Sequence, residues 1–339
     1  MADQSPANPI RIAIAGAGIY ARDAHVPSLF QLCDRFEIVA VYSRTKASAA
    51  ALAQQIGGTV DVYTNPEELL ARSDIEAVDI VLPIPVQPAI VEAALRSGKH
   101  VMSEKPIAPT SEAAYHLMKI HDQHIGQVWM VAENWRYEEA FERAAELLAE
   151  GAIGRHIAVQ WTNFARLTPD HKYYQTAWRR SGSFPGGFLL DVGVHHIAAL
   201  RLLLGDIESV TGMVDQISPD LPPADTMCAA MRFADGTLGA YFLSFGAGSA
   251  WDTPLTIVGE RGSLRVQRGR IDILRGGVME TIECERLNGV RRELAAFADA
   301  VRHGEPHRNT PDEGLRDLEV IEAILRAADN RRTQFLTTV

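Results

Sequence analysis

From Ile10 to about Ala132 the chain alternates short apolar runs with helix-patterned stretches, and no other feature restricts its fold as strongly. The runs IRIAIAG, FEIVAVYS, AVDIVLPIP, HVMSEKP and QVWMVAE are brief, rich in Val and Ile, and closed by turn signals. Strands buried on both faces of a parallel sheet have this character. Between them, residues 46–56, 67–72, 89–97 and 111–124 carry the apolar spacing and the Ala, Leu and Glu content of helices. Parallel strands require crossovers, so the region is predicted to be an α/β, doubly wound domain of the Rossmann type.

After Ala132 the pattern changes. A helix is predicted over 138–150, a strand over 156–162, and a Gly-rich passage then leads to a helix ending near Leu204. Strand candidates at 209–216, 226–233, 238–245, 254–258, 263–267 and 271–274 follow without intervening helices, which favours an antiparallel sheet. Two helices, 291–302 and 312–330, close the chain, the second entered through Thr310-Pro311. A length of 339 residues exceeds one ordinary domain. The reading is a nucleotide-binding domain over 1–133 and an α+β domain over 134–339.

Composition narrows the class of partner. Apolar residues at 47% and charged residues at 22% describe a globular chain, and a net charge of −10 opposes a broad phosphate-binding surface. Nucleic acid is therefore not an expected partner. Cys33, Cys228 and Cys284 form no CxxC pair and are read as buried thiols. His121 and His124 share a helical spacing but have no third ligand nearby, so they are read as a solvated face and no metal is expected. MADQSPANPIR lacks the apolar core of a secretory signal, and no run approaches the span of about 18 apolar residues that a bilayer needs. A cytoplasmic location without membrane attachment is the expectation.

Gly16-Ala17-Gly18-Ile19-Tyr20-Ala21 follows the first strand and opens a helix, the context in which a GxGxxG/A turn binds a dinucleotide. Absent side chains let a pyrophosphate approach the N–H groups of the helix start. Glycines in a tight turn also occur without ligands. The second strand ends in Ser43-Arg44-Thr45-Lys46 with no acid to hydrogen-bond a ribose 2′-hydroxyl, and Glu37 lies at the wrong end of that strand. Ser43 can donate to a 2′-phosphate and Arg44 can pair with it, so NADP is expected over NAD; a solvated surface arginine, with NAD as the cofactor, is the alternative.

At Glu104-Lys105-Pro106 a strand ends in a lysine, where open α/β sheets place their ligands. Lys105 there can hydrogen-bond a substrate oxygen; a surface lysine before a turn is the alternative. The glycine turn with His25 downstream, GKHVMSEKP at 98–106 and GGFLLDVGVHH at 186–196, taken together, resemble the Gfo/Idh/MocA oxidoreductase family over nearly the whole chain. AENWRY at 132–137 and TAWRR at 176–180 are similar to a branch with an NADPH-linked member.

The resemblance implies a second domain with a large open sheet, often used for homodimer or homotetramer contacts, and Lys105 as the central catalytic residue. It places the second motif's acid and base on Asp191 and His195. Four residues apart at a helix start, they can share a face, Asp191 orienting substrate hydroxyls and His195 exchanging the proton. His196 is read as structural. Gly16, Gly18, Ile19, Tyr20, Ser43, Arg44, Pro83, Glu104 and Lys105 are the expected cofactor contacts. Tyr173, Trp178 and Arg179 are expected at a small-molecule substrate with Lys105, Asp191 and His195, aromatic packing being the alternative for the first three, while Asn134 and Arg136 follow the last Rossmann strand and could touch either ligand. One stretch departs from the family pattern: Leu82-Pro83-Ile84-Pro85-Val86-Gln87 replaces the usual TPN turn and its later His. The leading reading is an NADP(H)-dependent oxidoreductase acting on a sugar, polyol or related carbonyl compound. A non-catalytic NAD(P)-binding regulator and an NAD-dependent glycosidase are the alternatives.

Overall fold

The computed structural model describes residues 8–248 and 253–337. Up to Glu133 the elements are β1 (Ile10–Ala15), α1 (Val26–Gln31), β2 (Phe36–Tyr42), α2 (Lys46–Ile56), β3 (Asp61–Tyr63), α3 (Pro66–Leu70), β4 (Ala77–Ile80), α4 (Gln87–Arg96), β5 (His100–Glu104), α5 (Ser111–His121) and β6 (Trp129–Ala132). Then come α6 (Glu139–Ala149), β7 (His156–Phe164), α7 (Phe188–Leu204), β8 (Ile207–Asp215), β9 (Thr226–Phe233), β10 (Leu238–Ser244), β11 (Thr253–Gly259), β12 (Gly262–Gln267), β13 (Arg270–Arg275), β14 (Val278–Glu283), α8 (Gly289–His303), α9 (Pro311–Asn330) and β15 (Gln334–Phe335). Residues 1–7 of the N-terminal stretch read against a secretory signal lie outside the described residues. Among the described residues no helix is long and apolar enough to cross a membrane.

Two compact units emerge. The first joins the chain up to Glu133 with Val290–Leu315; the second holds Asn134–Gly289 and the chain from Arg316. This corrects the expectation of one contiguous domain over 134–339. α8 returns to the first unit because its apolar face has a partner there. Phe297 stacks on Phe36 with centroids 6.5 Å apart, Arg35 reaches Asp299 at 2.7 Å, and Arg302 grips Glu76 at 2.6 Å.

The first unit carries a six-stranded sheet in the order β3-β2-β1-β4-β5-β6, parallel throughout. Because successive strands are added on opposite sides of β1, the order reverses between β1 and β4, and the crevice at their C-terminal ends is the switch point of a doubly wound sheet. Buried Ile10, Ile12 and Ile14 of β1 fill its centre.

A nine-stranded sheet organises the second unit, in the order β14-β13-β12-β11-β7-β10-β9-β8-β15. β10 lies parallel to β7 and every other neighbouring pair is antiparallel. One face is covered by helices: Phe141 of α6 packs on Trp161, and Gly193 of α7 leaves room for Ile321 and Met227. Inside this unit Asp317 takes both Arg136 and Arg201 at 2.8 Å.

The strand register defines the other face. Met213, Cys228, Phe242 and Thr162 are successive cross-strand partners, as are Met279, Leu274, Ser263, Val258, Ala158 and Leu238. Directly opposed residues point to the same side of a sheet, so this side presents two rows rich in exposed apolar groups, with Met213, Leu238, Val258, Leu274 and Met279 all exposed. Cys228 sits in one row and is half-buried, as is Cys284, while Cys33 is exposed in the turn after α1. The cysteines are thus not the buried thiols that the sequence suggested.

Candidate active site

The first unit assembles one half of the machinery along the C-terminal ends of its strands. β1 runs into Gly16, whose φ of +126° is one that glycine favours. A Cβ on Gly16 would stand 2.1 Å from the carbonyl oxygen of Val81, so packing against the end of β4 already requires glycine there. Gly18 differs: a Cβ would meet nothing within 4 Å. Gly18 is therefore the position where the missing side chain leaves open space beside the helix start, as a pyrophosphate needs. Ile19 and Tyr20 begin that helix, which widens into a π turn over Ala21–His25 before α1.

At the end of β2, Ser43 bonds through its N–H to the Tyr63 carbonyl, and Arg44 is exposed without a hydrogen bond or ion pair to any described residue. Glu37 is held at the opposite end of the strand by Arg11 at 2.7 Å. Pro83 follows β4 and accepts the backbone N–H groups of Val86 and Gln87, giving a compact turn into α4. Glu104 closes β5 and Lys105 follows it through a cis peptide to Pro106.

Beneath this edge lies a buried ionic network. His25 Nδ1 is 2.8 Å from Asp79 and Nε2 is 2.9 Å from Glu104, so one imidazole joins the nucleotide turn to β4 and β5. Burial alone would push the His25 pKa down, but the two carboxylates outweigh it and hold it well above the ordinary value. The ring is thus an imidazolium donating to both acids. Glu293 of α8 is wholly buried nearby, and its Oε2 lies 3.4 Å from the Asn309 amide. Desolvation, with the charges of Glu104, Glu133 and Asp79 set against the opposing charge of His25, pushes the Glu293 carboxyl well above its usual range. The Glu293 carboxyl therefore holds its proton more tightly than an ordinary carboxylate.

The second unit contributes the other group. Asp191 and His195 both lie on α7, with Asp191 in its first turn. Asp191 accepts from Arg179 Nε at 2.7 Å, and the Arg179 guanidinium lies over the rings of Trp178 at 4.1 Å and Tyr173 at 4.8 Å. These four residues therefore form one polar and aromatic cluster. His195 stacks on Trp135 with centroids 5.7 Å apart and planes 18° apart. The far neighbourhood of Trp135 holds Arg268, 5.1 Å from its ring, and both line a cavity of about 150 Å³ with Trp161, Asn163 and Gln267. Buried His196 Nδ1 lies 2.7 Å from the Tyr241 hydroxyl, and burial pushes that phenol well above its ordinary pKa.

Lys105 belongs to the first unit and Asp191 and His195 to the second, so the motifs divide between the two bodies. Arg136 departs from the expected ligand contact: its side chain is buried against Asp317, an internal ion pair. His121 and His124 are half-buried rather than solvated, because His121 packs edge-on to Trp129 at 5.7 Å and bonds the Gln127 carbonyl. Among the described residues no group of three or more His, Cys, Asp or Glu is placed to hold a metal ion.

Residues 10–133 match the family model described as "Oxidoreductase family, NAD-binding Rossmann fold", and residues 141–265 match the "GFO/IDH/MocA C-terminal domain". The chain belongs to the Gfo/Idh/MocA oxidoreductase family. Dehydrogenase FPY6 of Fusarium mangiferae is similar to it, 35% identical over 94% of this chain and 96% of that protein. D-xylose 1-dehydrogenase (NADP(+)) 2 of Haloferax volcanii is 29% identical over 86% of this chain and 90% of its own length. The crystal structure of an oxidoreductase from Thermotoga maritima superposes with a TM-score of 0.91 at 34% identity, covering 96% of this chain and 98% of that one. A dinucleotide-dependent oxidoreductase of this family accounts for the glycine turn and for Lys105 at the sheet's C-terminal edge.

Sequence reading passed over Trp135, Arg268, Gln87 and Glu293. Trp135 lay within AENWRY, whose aromatic was a visible signal, and Gln87 closed the turn that departs from the family pattern. Glu293 gave none, since an acid in an amphipathic helix reads as solvated. Its burial has a measurable consequence. A carboxyl whose folded pKa exceeds its unfolded value, about 4.3, favours the fold below that value and loses this contribution as pH rises through the folded pKa. In Glu293→Gln that loss is absent. Urea unfolding from about pH 5 to 9 is expected to show the variant gaining on the wild type as pH rises; parallel curves would show that Glu293 does not hold its proton.

Proposed function

We propose that this family member is an NADP(H)-dependent oxidoreductase acting on a hydroxyl or carbonyl carbon of a sugar or related polyol. The observation that carries the reading is the placement of Lys105 at the same C-terminal edge of the sheet as open Gly18 and acid-free Ser43-Arg44. A nicotinamide bound there supplies or accepts the hydride. Gly18 and the adjoining helix start would receive the pyrophosphate, and Arg44 with Ser43 a 2′-phosphate. Ile19, Tyr20, Pro83 and Glu104 would flank the same ligand.

Lys105 donates a hydrogen bond to the reacting oxygen, and His195 takes that oxygen's proton on oxidation or returns it on reduction. Asp191, with Arg179 holding its carboxylate, is suited to accept from neighbouring substrate hydroxyls, and Trp178 and Tyr173 offer aromatic faces to a sugar ring. The NADP-linked xylose dehydrogenase of Haloferax volcanii supports both the cofactor and the substrate class. The exposed apolar rows on the open sheet face support self-association, since a solitary soluble chain seldom leaves a large contiguous apolar patch uncovered.

Nicotinamide absorbance with D-xylose and a panel of sugars and polyols tests the activity. Lys105→Met is expected to lower kcat by at least about 100-fold, in the range of lost acid–base or electrostatic assistance, with NADPH affinity little changed; retained turnover would remove Lys105 from the chemistry. Arg44→Ala should weaken NADPH by about 1.5–3 kcal/mol, the worth of a charge-assisted contact, and leave NADH nearly unaffected. Equal weakening of both nucleotides, read by fluorescence titration, would mean that Arg44 does not read the phosphate. Sedimentation of Phe242→Glu should yield a smaller species than the wild type, whereas an unchanged species would place any assembly elsewhere.

A further inference from the structure

Gln87 opens α4, and its side chain is only 1% exposed. Its Nε2 donates to the carbonyl oxygen of Glu104 at 2.6 Å and to that of Pro106 at 3.0 Å. These are the carbonyls of the two residues that neighbour Lys105: the first belongs to the peptide that enters Lys105, the second to the peptide after Pro106. Both are acceptors only, so the amide orientation is fixed by chemistry, with the NH2 group facing β5 and both its hydrogens in use. The Gln87 Oε1 is buried and finds no partner among the described residues. A buried acceptor left unpaired is unfavourable, and an apolar side chain of this size would avoid it. What Gln87 gains in exchange is a hold on the chain just before and just after the Lys105–Pro106 pair.

The hold is anchored at its other end. The Gln87 backbone N–H bonds the Pro83 carbonyl at 3.1 Å, within a turn stiffened by Pro83 and Pro85 and followed by Pro88. From the opposite side, the Glu104 carboxylate is fixed by His25. The peptide entering Lys105 and the peptide leaving Pro106 are thus both held by Gln87, so the segment between them cannot swing freely unless the Gln87 bonds break.

We propose that Gln87 is the positioning residue for Lys105: its amide clamps the carbonyls of Glu104 and Pro106 and so sets the direction in which the lysine amine is presented. An amide does not titrate, so this clamp is indifferent to pH. The inference rests on the proposed role of Lys105 for its kinetic consequence and on the hydrogen bonds alone for its structural one.

Two variants of the full chain test it. Gln87→Leu removes both donors at any pH. Gln87→Glu removes them only when ionised, because a protonated carboxyl can donate once, and burial raises the pKa of a carboxyl here. Hydrogen exchange of the segment 103–107, measured without cofactor or substrate and corrected for intrinsic rates, is expected to speed up by roughly tenfold in Gln87→Leu at about pH 6 and pH 9 alike. In Gln87→Glu the increase should appear at about pH 9 and shrink at about pH 6, with β1 unchanged in both. Wild-type exchange in both variants, or an equal increase in β1, would overturn the clamp. With D-xylose, or the first sugar that the wild type turns over, kcat should fall about 10- to 100-fold for a displaced catalytic group, with NADPH affinity within about twofold, which is below 0.5 kcal/mol. Gln87→Glu should recover kcat relative to the wild type on acidification while Gln87→Leu does not; an unchanged kcat despite faster exchange would refute positioning. If the wild type turns over no sugar, the proposed function fails by itself and the exchange measurement still decides the clamp.

Discussion

One buried imidazolium holds the first half of the site together. His25 lies at the end of the π turn that follows the glycines, and it donates to Asp79 on β4 and Glu104 on β5. Three elements that are distant in sequence are thereby fixed at one sheet edge: the turn suited to a pyrophosphate, the strand beyond the switch point, and the strand that delivers Lys105. A buried charge is tolerated only when it is paired and hydrogen-bonded, and His25 uses both ring nitrogens. Burial first, and then the surplus of acid around it, raises the pKa of Glu293. Asp79, Glu104 and Glu133 surround the Glu293 carboxyl, and their charges oppose its ionisation, against which His25 acts.

Because the network works through strand ends, the local fold and the site are difficult to separate. Gly16 illustrates the point. A sequence motif credits its missing side chain to the ligand, whereas Val81 accounts for it by packing. Gly18 meets no such neighbour, so ligand approach is the stronger reason for glycine there. The two glycines of one motif thus answer to different physical demands, and a substitution at the first would distort the sheet before it reached a cofactor.

The fold was legible where periodicity was strong. Residues 46–56 and 226–233 have the extents expected of them, and β1, β2, β4, β5 and β6 fall within the predicted apolar runs. β3 and β15 are too short to carry a pattern, and β14 has five exposed residues out of six, so no alternation marks it. The return of 290–315 to the first unit was not legible, because the amphipathic pattern of α8 announces an apolar face but not its partner. The parallel pairing of β7 with β10 was likewise hidden, since strand succession reports neighbours in sequence and not the insertion of β7 between β10 and β11. At the site, the residue types of the motifs were visible, whereas Arg136 misled because a polar residue beside a ligand strand and one serving an internal ion pair look alike.

The departure at 82–87 shows how a site can keep its geometry while exchanging its chemistry. A turn rich in proline limits the backbone without any side-chain contact, so the only polar group it needs is one that reaches β5. A histidine in that position would offer at most one N–H in a given direction and would change its charge with pH, near the His25 imidazole that Asp79 and Glu104 already hold. Gln87 offers two N–H groups from one nitrogen and no charge. The balance set by His25, Asp79, Glu104 and Glu293 is therefore left undisturbed by the group that clamps Lys105, and the two forms of support, one ionic and one neutral, act on the same strand end without competing.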